Sequence, residues 1–233
     1  MREVKTIFYY LLLSITAVIL ILIMVLFKPI TTNTNSFEDK LLVVGIFFTS
    51  CIFGISFAIY PNWWRKNKRN TNHTSNLKKP KTHRSFQGHH PDCNIFKNHI
   101  INIKNKPRCT GCLGLILGAL ASILLITLYL ILPLKLSINI YYILLILGII
   151  LLIFVYTEII LSKRHIFLHI LLNGLLILSF LIITISVLEI TKNLRYAILT
   201  ILLCFLWLDT RIHISNLQHQ KICKSCIQEC KSY

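Results

Sequence analysis

The sequence predicts an all-α polytopic membrane protein with about six transmembrane helices and a small cytosolic module of histidines and cysteines. Three observations carry that prediction. Of the 233 residues, 55% are hydrophobic and only 14% charged, where a soluble domain carries about 25% charged residues. Apolar stretches long enough to cross a bilayer recur along the whole chain. Six of the eight cysteines are grouped in or after polar segments rather than scattered through the apolar ones. This composition excludes a disordered chain, a secreted disulfide scaffold and a large soluble enzyme. In a soluble protein a net charge of +17 would suggest nucleic acid, but the cytoplasmic loops of a multi-pass protein require such an excess. The lipid bilayer is therefore the predicted partner, and no nucleic acid is.

A span needs roughly 20 mainly apolar residues, because about 30 Å of hydrocarbon is crossed at ~1.5 Å per residue. Ile7 to Phe27, Leu41 to Tyr60, Leu113 to Leu134, Ile140 to Leu161, Ile166 to Leu188 and Leu194 to Leu208 qualify. All are expected as helices, since an open strand leaves backbone groups unpaired in lipid. The first follows Arg2 and Lys5 as a signal peptide would, yet its apolar run is too long and no small-residue cleavage site follows, so it is expected to remain. The sixth is the shortest, and whether it crosses decides on which side the last cysteines lie. With the N-terminus inside, 20 of the 25 Lys and Arg residues fall on the cytosolic side and five outside: Lys28, Lys40, Lys135, Lys192 and Arg195. Basic residues favour the cytosolic side, so both termini are placed there, in the cytoplasmic membrane.

The organisation read from these stretches is a two-helix N-terminal membrane unit (1–60), a basic linker (61–82), a cytosolic His/Cys module (83–112), a four-helix membrane unit (113–210) and a cytosolic Cys-rich tail (211–233). Trp63 and Trp64 beside Arg65 and Lys66 read as an interfacial anchor.

The module is the chemically informative part. His90-x2-Cys93 and Cys109-x2-Cys112, 15 residues apart, have the spacing of a split four-ligand site. Thiolate and imidazole suit tetrahedral zinc, and a metal would give a short polar loop the stability it cannot draw from a core. His90 is preferred over His89 and His99 as the fourth ligand, because Pro91 restricts the chain before Cys93. Cytosolic thiols stay reduced, which disfavours a structural disulfide. A redox pair is the alternative use of Cys109 and Cys112, since a helix N-terminus lowers a thiol pKa. Covalent haem is disfavoured because Leu113, not His, follows Cys112.

A second cluster, Cys223-x2-Cys226-x3-Cys230 with His219 upstream, also suits zinc. An iron–sulfur cluster is the lesser reading, because Gln220 stands where a ferredoxin run has its first cysteine. The two clusters form either two sites or one composite site. Cys51 and Cys204 lie inside spans and are expected as small apolar core residues. Gly111, Gly114, Gly118 and Ser122 fall near one helical face, and the Gly114-x3-Gly118 spacing predicts close helix packing.

The tract PRCTGCLGLILG, with HRSF some twenty residues earlier, resembles a prokaryotic family of small multi-pass membrane proteins known as a domain of unknown function. Its pattern is an Arg-Ser-Phe segment followed by Pro-x-Cys-x-x-Cys-x-Gly-x-x-x-Gly leading into a helix. Arg84, Ser85, Phe86, Pro107, Cys109, Cys112, Gly114 and Gly118 match it, whereas Thr110-Gly111 and the lone His83 depart from it. The resemblance covers residues 83–118 and implies a membrane location and a cysteine-based site, without an activity.

Ionisable groups inside spans are costly and become functional candidates. Glu158 lies near the end of the fourth span, while His165, His169 and Asn173 recur every four residues at the start of the fifth, and Asp209 and His213 repeat that spacing in the sixth. The short Ser162-Lys163-Arg164 connection makes the fourth and fifth helices antiparallel neighbours, with Glu158 and His169 at comparable depth. Such groups can ligate a metal or act as acid and base. The preferred reading is plainer: Glu158 pairs with Lys163 or Arg164, and the histidines snorkel.

The leading functional reading is a cytosolic zinc-type His/Cys site with a structural, interaction or sensing role. A membrane-embedded metalloenzyme acting on a lipid or lipid-linked substrate, and a thiol oxidoreductase, are the alternatives. No phosphate loop, Gly-x-Ser-x-Gly elbow or His-Glu-x-x-His occurs in the chain.

Overall fold

A computed structural model describes residues 2–28, 36–60, 100–103, 106–132, 136–160 and 165–224, excluding the side chains of 2–4, 100, 102–103, 106–107, 158–160 and 218–224. The helices are α1 (Arg2–Leu26), α2 (Phe37–Ile59), α3 (Thr110–Ile131), α4 (Ile138–Ile160), α5 (Ile166–Thr191) and α6 (Leu194–Lys224). Each contains a stretch long and apolar enough to cross a membrane, and the chain is a multi-pass membrane protein on that ground. The sixth stretch is longer than expected. It runs from Leu194 to Leu217, because Ile212, Ile214 and Leu217 continue the apolar content past Asp209 and Arg211 without a helix-breaking residue.

An all-helical reading of the chain omitted a hairpin. β1 (Ile100–Ile103) pairs antiparallel with β2 (Lys106–Cys109), placing Ile100 opposite Cys109 and Ile103 opposite Lys106. Ile101 and Ile103 alternate with the polar Asn102, the period of a strand. Pro107 is tolerated because a two-stranded ribbon leaves edge positions that need no N–H. Cys109 ends β2 and is also the N-cap residue of α3.

Local sequence sets the helix ends. The Ser36 hydroxyl accepts from the Asp39 N–H at 3.1 Å, while the Asp39 carboxylate accepts from the Ser36 N–H at 3.2 Å. This capping box satisfies two orphan donors of α2 and stabilises it by about 1 kcal/mol. Between α5 and α6, Lys192 adopts φ 51°, the left-handed conformation that closes α5. The Asn193 side chain then accepts from the Arg195 N–H at 3.0 Å and starts α6.

α5 is the axis of the bundle and touches α1, α3, α4 and α6. Half of its span is buried, against 22–28% in α1 to α4. α3 and α5 run in the same direction, since Gly114 lies beside Ile170, Gly118 beside Gly174 and Tyr129 beside Glu189. The expected glycine face is what brings them together. A Cβ on Gly114 would stand 2.3 Å from the Ile170 carbonyl oxygen, and one on Gly118 would stand 2.5 Å from that of Gly174. Backbones this close gain dispersion along the whole contact, which in lipid substitutes for the hydrophobic effect. Gly148 gives α4 a similar seat, where a Cβ would meet Ile183 Cγ1 at 2.7 Å.

α6 closes against α1 through Trp207, whose indole Nε1–H donates to the Ser14 carbonyl at 2.9 Å. The Tyr156 hydroxyl of α4 donates to the Trp207 carbonyl at 2.7 Å. Cys51 and Cys204 are buried among apolar neighbours, as expected. Outward apolar residues such as Leu124, Phe154 and Phe167 form the lipid-facing surface.

Candidate functional site

The hairpin and α3 together position the first candidate pair. Cys109, with extended backbone at φ −71° and ψ 127°, is buried where β2 gives way to α3. Cys112 follows one helical turn later and is half-buried, and the two side chains are hydrogen-bonding partners. The glycine-mediated approach of α3 to α5 then adds residues from α5. A Cβ on Gly111 would stand 3.2 Å from His169 Nε2, 3.8 Å from Cys109 Sγ and 3.9 Å from Asn173 Nδ2. Thiol, imidazole and amide therefore line one small space that exists because Gly111 has no side chain. Asn173 donates through Nδ2 to the His169 carbonyl at 2.5 Å, and the same nitrogen lies 3.5 Å from His169 Nδ1. Both side chains are buried, His169 at 8% and Asn173 at 1% exposure.

The remaining expected ligands distribute differently. His90, Cys93, Cys226 and Cys230 lie outside the described residues, as do His89, His99 and the anchor Trp63 and Trp64. Cys223 is on α6, with its side chain outside those described. Among the described residues, no three His, Cys, Asp or Glu side chains are grouped so as to hold a metal ion.

The expected polar face of α4, α5 and α6 does not assemble among the described side chains. His165 is the exposed N-cap residue of α5, whereas His169 turns to α3. The reason is level: α3 begins at Thr110, beside His169, so nothing of α3 covers the turn below. His169 is thus a buried residue and does not snorkel. Asp209 and His213 form an exposed pair at 3.3 Å on α6, with the His213 ring stacked on Tyr10 of α1 at 4.7 Å. Glu158 is on α4, and its side chain lies outside those described.

A second constellation, at the opposite end of the bundle, was not foreseen. Glu189 is 4% exposed near the end of α5. Its Oε1 accepts from the Tyr129 hydroxyl of α3 and from Lys40 Nζ of α2, the latter at 2.6 Å, while Oε2 accepts from Lys192 Nζ. Lys40 also lies over the Tyr129 ring, 5.4 Å from its centroid. The sequence held a partial signal, because Glu189 and Lys192 are three apart on one helix. Lys40 and Tyr129 are remote in sequence and gave none. Both carboxylate oxygens are engaged, by α2, by α3 and by the C-cap residue of α5, so the arrangement works as a clasp.

Comparison with family models, with curated proteins and with solved structures finds no match to this chain.

Proposed function

We propose that this chain is a multi-pass protein of the cytoplasmic membrane with both termini in the cytosol, and that its cytosolic face carries a zinc-type His/Cys centre of structural, interaction or sensing role. Membership of the family it resembles belongs to the same proposal. The observation that supports the centre is the hairpin register. Because Ile100 pairs with Cys109, its backbone stands at the foot of α3, beside Cys109 and Cys112. Cys93 is seven residues upstream of Ile100, a reach of at most ~25 Å at about 3.5 Å per residue. Cys93 and His90 would supply the third and fourth ligands. Two thiolates at the start of a helix suit the charge of a divalent cation and fix half of its tetrahedron to a rigid element.

Orientation rests on the division of basic residues, 20 to five. The tail cysteines Cys223, Cys226 and Cys230 would then face the same side and hold a second ion or share the first. Zinc content of the full-length purified protein tests the centre. Cys109→Ser and Cys112→Ser should each lower it, and unchanged content in both would overturn the reading. A thiol redox role is the second reading, favoured by the two cysteines standing one helical turn apart at the start of α3. A metal-free protein in which mild oxidant joins Cys109 to Cys112 would establish that reading instead. An impermeant thiol reagent on intact cells after metal removal tests orientation: Cys226 should stay unlabelled until lysis.

A further inference from the structure

We infer that Lys40 and Lys192 form a binding site for the phosphate of an anionic phospholipid, at the end of the bundle away from Cys109. The inference needs only that the chain spans a bilayer, and it is independent of the metal reading above.

The geometry comes from the clasp. Lys40 Nζ and Lys192 Nζ contact the two oxygens of one carboxylate, that of Glu189. Two ammonium groups held on one carboxylate stand at most about 8 Å apart, since each charge-assisted contact spans about 2.8 Å. The oxygens of one phosphate are spaced much like those of a carboxylate and can accept from both lysines at once. Each ammonium carries three donors, of which Glu189 takes one. Exposure tells where the others lie: Glu189 is 4% exposed, whereas the Lys40 and Lys192 side chains are 32% and 36% exposed. The clasp thus closes inward on its carboxylate and presents ammonium groups outward.

Charge and position name the ligand. Two cations around one anion leave a net charge of +1, and a second anion relieves the repulsion between the lysines. The acidic residues beside Lys40 do not supply it. The Asp39 carboxylate accepts from the Ser36 N–H at 3.2 Å, and Glu38, two residues from Lys40, does not share its helical face. Lys40 lies in the first turn of the stretch Phe37–Ile59, and Lys192 directly follows the stretch Ile166–Thr191, which is the level of lipid headgroups. Leu41 of α2 and Leu128 of α3, next in sequence to Lys40 and Tyr129, are exposed and apolar, so acyl chains find a surface beside the site. A free phosphate ion gains nothing from that surface, which is why the lipid is the occupant.

Native mass spectrometry of the full-length protein in detergent tests the inference, with dioleoyl phosphatidylglycerol and dioleoyl phosphatidylcholine offered in equal amounts. The wild type should retain phosphatidylglycerol about fivefold more, the preference expected of one net positive charge at a membrane surface. Lys40→Gln and Lys192→Gln each leave a net charge of zero while keeping one lysine on Glu189, so each should bring the ratio close to one. Glu189→Gln keeps the shape of the clasp and both lysines, and should raise the preference roughly fivefold further. That variant keeps the inference falsifiable if a lysine variant fails to fold. Lys28→Gln, at a lysine that lies over the Tyr142 ring instead, should leave the ratio at the wild-type value. Inorganic phosphate should not displace the bound lipid. Equal retention of the two lipids by the wild type, a preference that survives both lysine variants, or one that fails to rise in Glu189→Gln would overturn the inference. A loss in Lys28→Gln equal to that in Lys192→Gln would overturn it too, since diffuse charge and not a built site would then set the preference. Displacement by inorganic phosphate would assign the site to a free anion and overturn the lipid.

Discussion

The two ends of α5 both bury polar side chains, and they do so by opposite means. At the Glu189 end, charge does the work: one carboxylate is surrounded by Lys40, Lys192 and Tyr129, and both of its oxygens are occupied. At the His169 end, missing atoms do the work: Gly111, Gly114 and Gly118 let α3 approach so closely that imidazole, amide and thiol share the space one methyl group would fill. The Glu189 cluster closes on itself and holds α2, α3 and α5 together. The Cys109 cluster pairs a soft sulfur with a nearby imidazole, which is chemistry that a metal or an oxidant can use. Burial of polar groups alone therefore does not mark a functional site; what remains available to a ligand does.

The sharpest way to break this contrast is to add atoms where α3 meets α5. Gly118→Leu should destabilise the protein by about 3 kcal/mol or more, the upper range for overpacking, because the nearest atoms are the Gly174 backbone and have no rotamer to yield. Reversible unfolding in mixed detergent micelles measures this, and on the proposed zinc reading the same variant should hold less metal.

Removing the carboxylate comes next. Glu189→Ala should cost about 2 kcal/mol, less than the 3–5 kcal/mol for breaking a fully buried pair, because the Lys40 and Lys192 side chains are 32% and 36% exposed and can turn to water or headgroups. On the proposed zinc reading its metal content should be unchanged, which distinguishes the clasp from the cysteine end. A Glu189→Ala protein with reduced zinc would join the two ends into one cooperative unit.

Trp207→Phe should cost about 1 kcal/mol, the net worth of one hydrogen bond, here the indole donation to the Ser14 carbonyl that ties α6 to α1. The same unfolding assay reads it. The smallest effect is expected at Gly45, where a Cβ meets nothing within 4 Å. Gly45→Ala should be neutral or slightly stabilising, since alanine is the better helix former, and a large loss there would show that α2 has a partner on that face.

Much of the fold was legible because its signals are local. Span length and apolar content are properties of consecutive residues, and Gly114, Gly118 and Ser122 declare one face through helical period alone. The Cys109 and Cys112 pair was legible for the same reason. Less legible were the hairpin, whose alternating strand is only four residues long, and the end of α6, where three charged or titratable residues interrupted the apolar run without stopping the helix.

What the sequence by itself determined is six apolar helices, the close-packing glycine face and the identity of the thiols, because each depends on periodicity within one segment. Only the tertiary structure decided that His169 faces α3 and not Asp209 or His213, and that Glu189 gathers Lys40 and Tyr129 from two other helices. Those outcomes depend on the rotation and level of helices far apart in the chain. Hydropathy is nearly uniform around a membrane helix and says little about which side meets a neighbour. Shape complementarity at a few glycines and the buried Glu189 carboxylate make that choice instead.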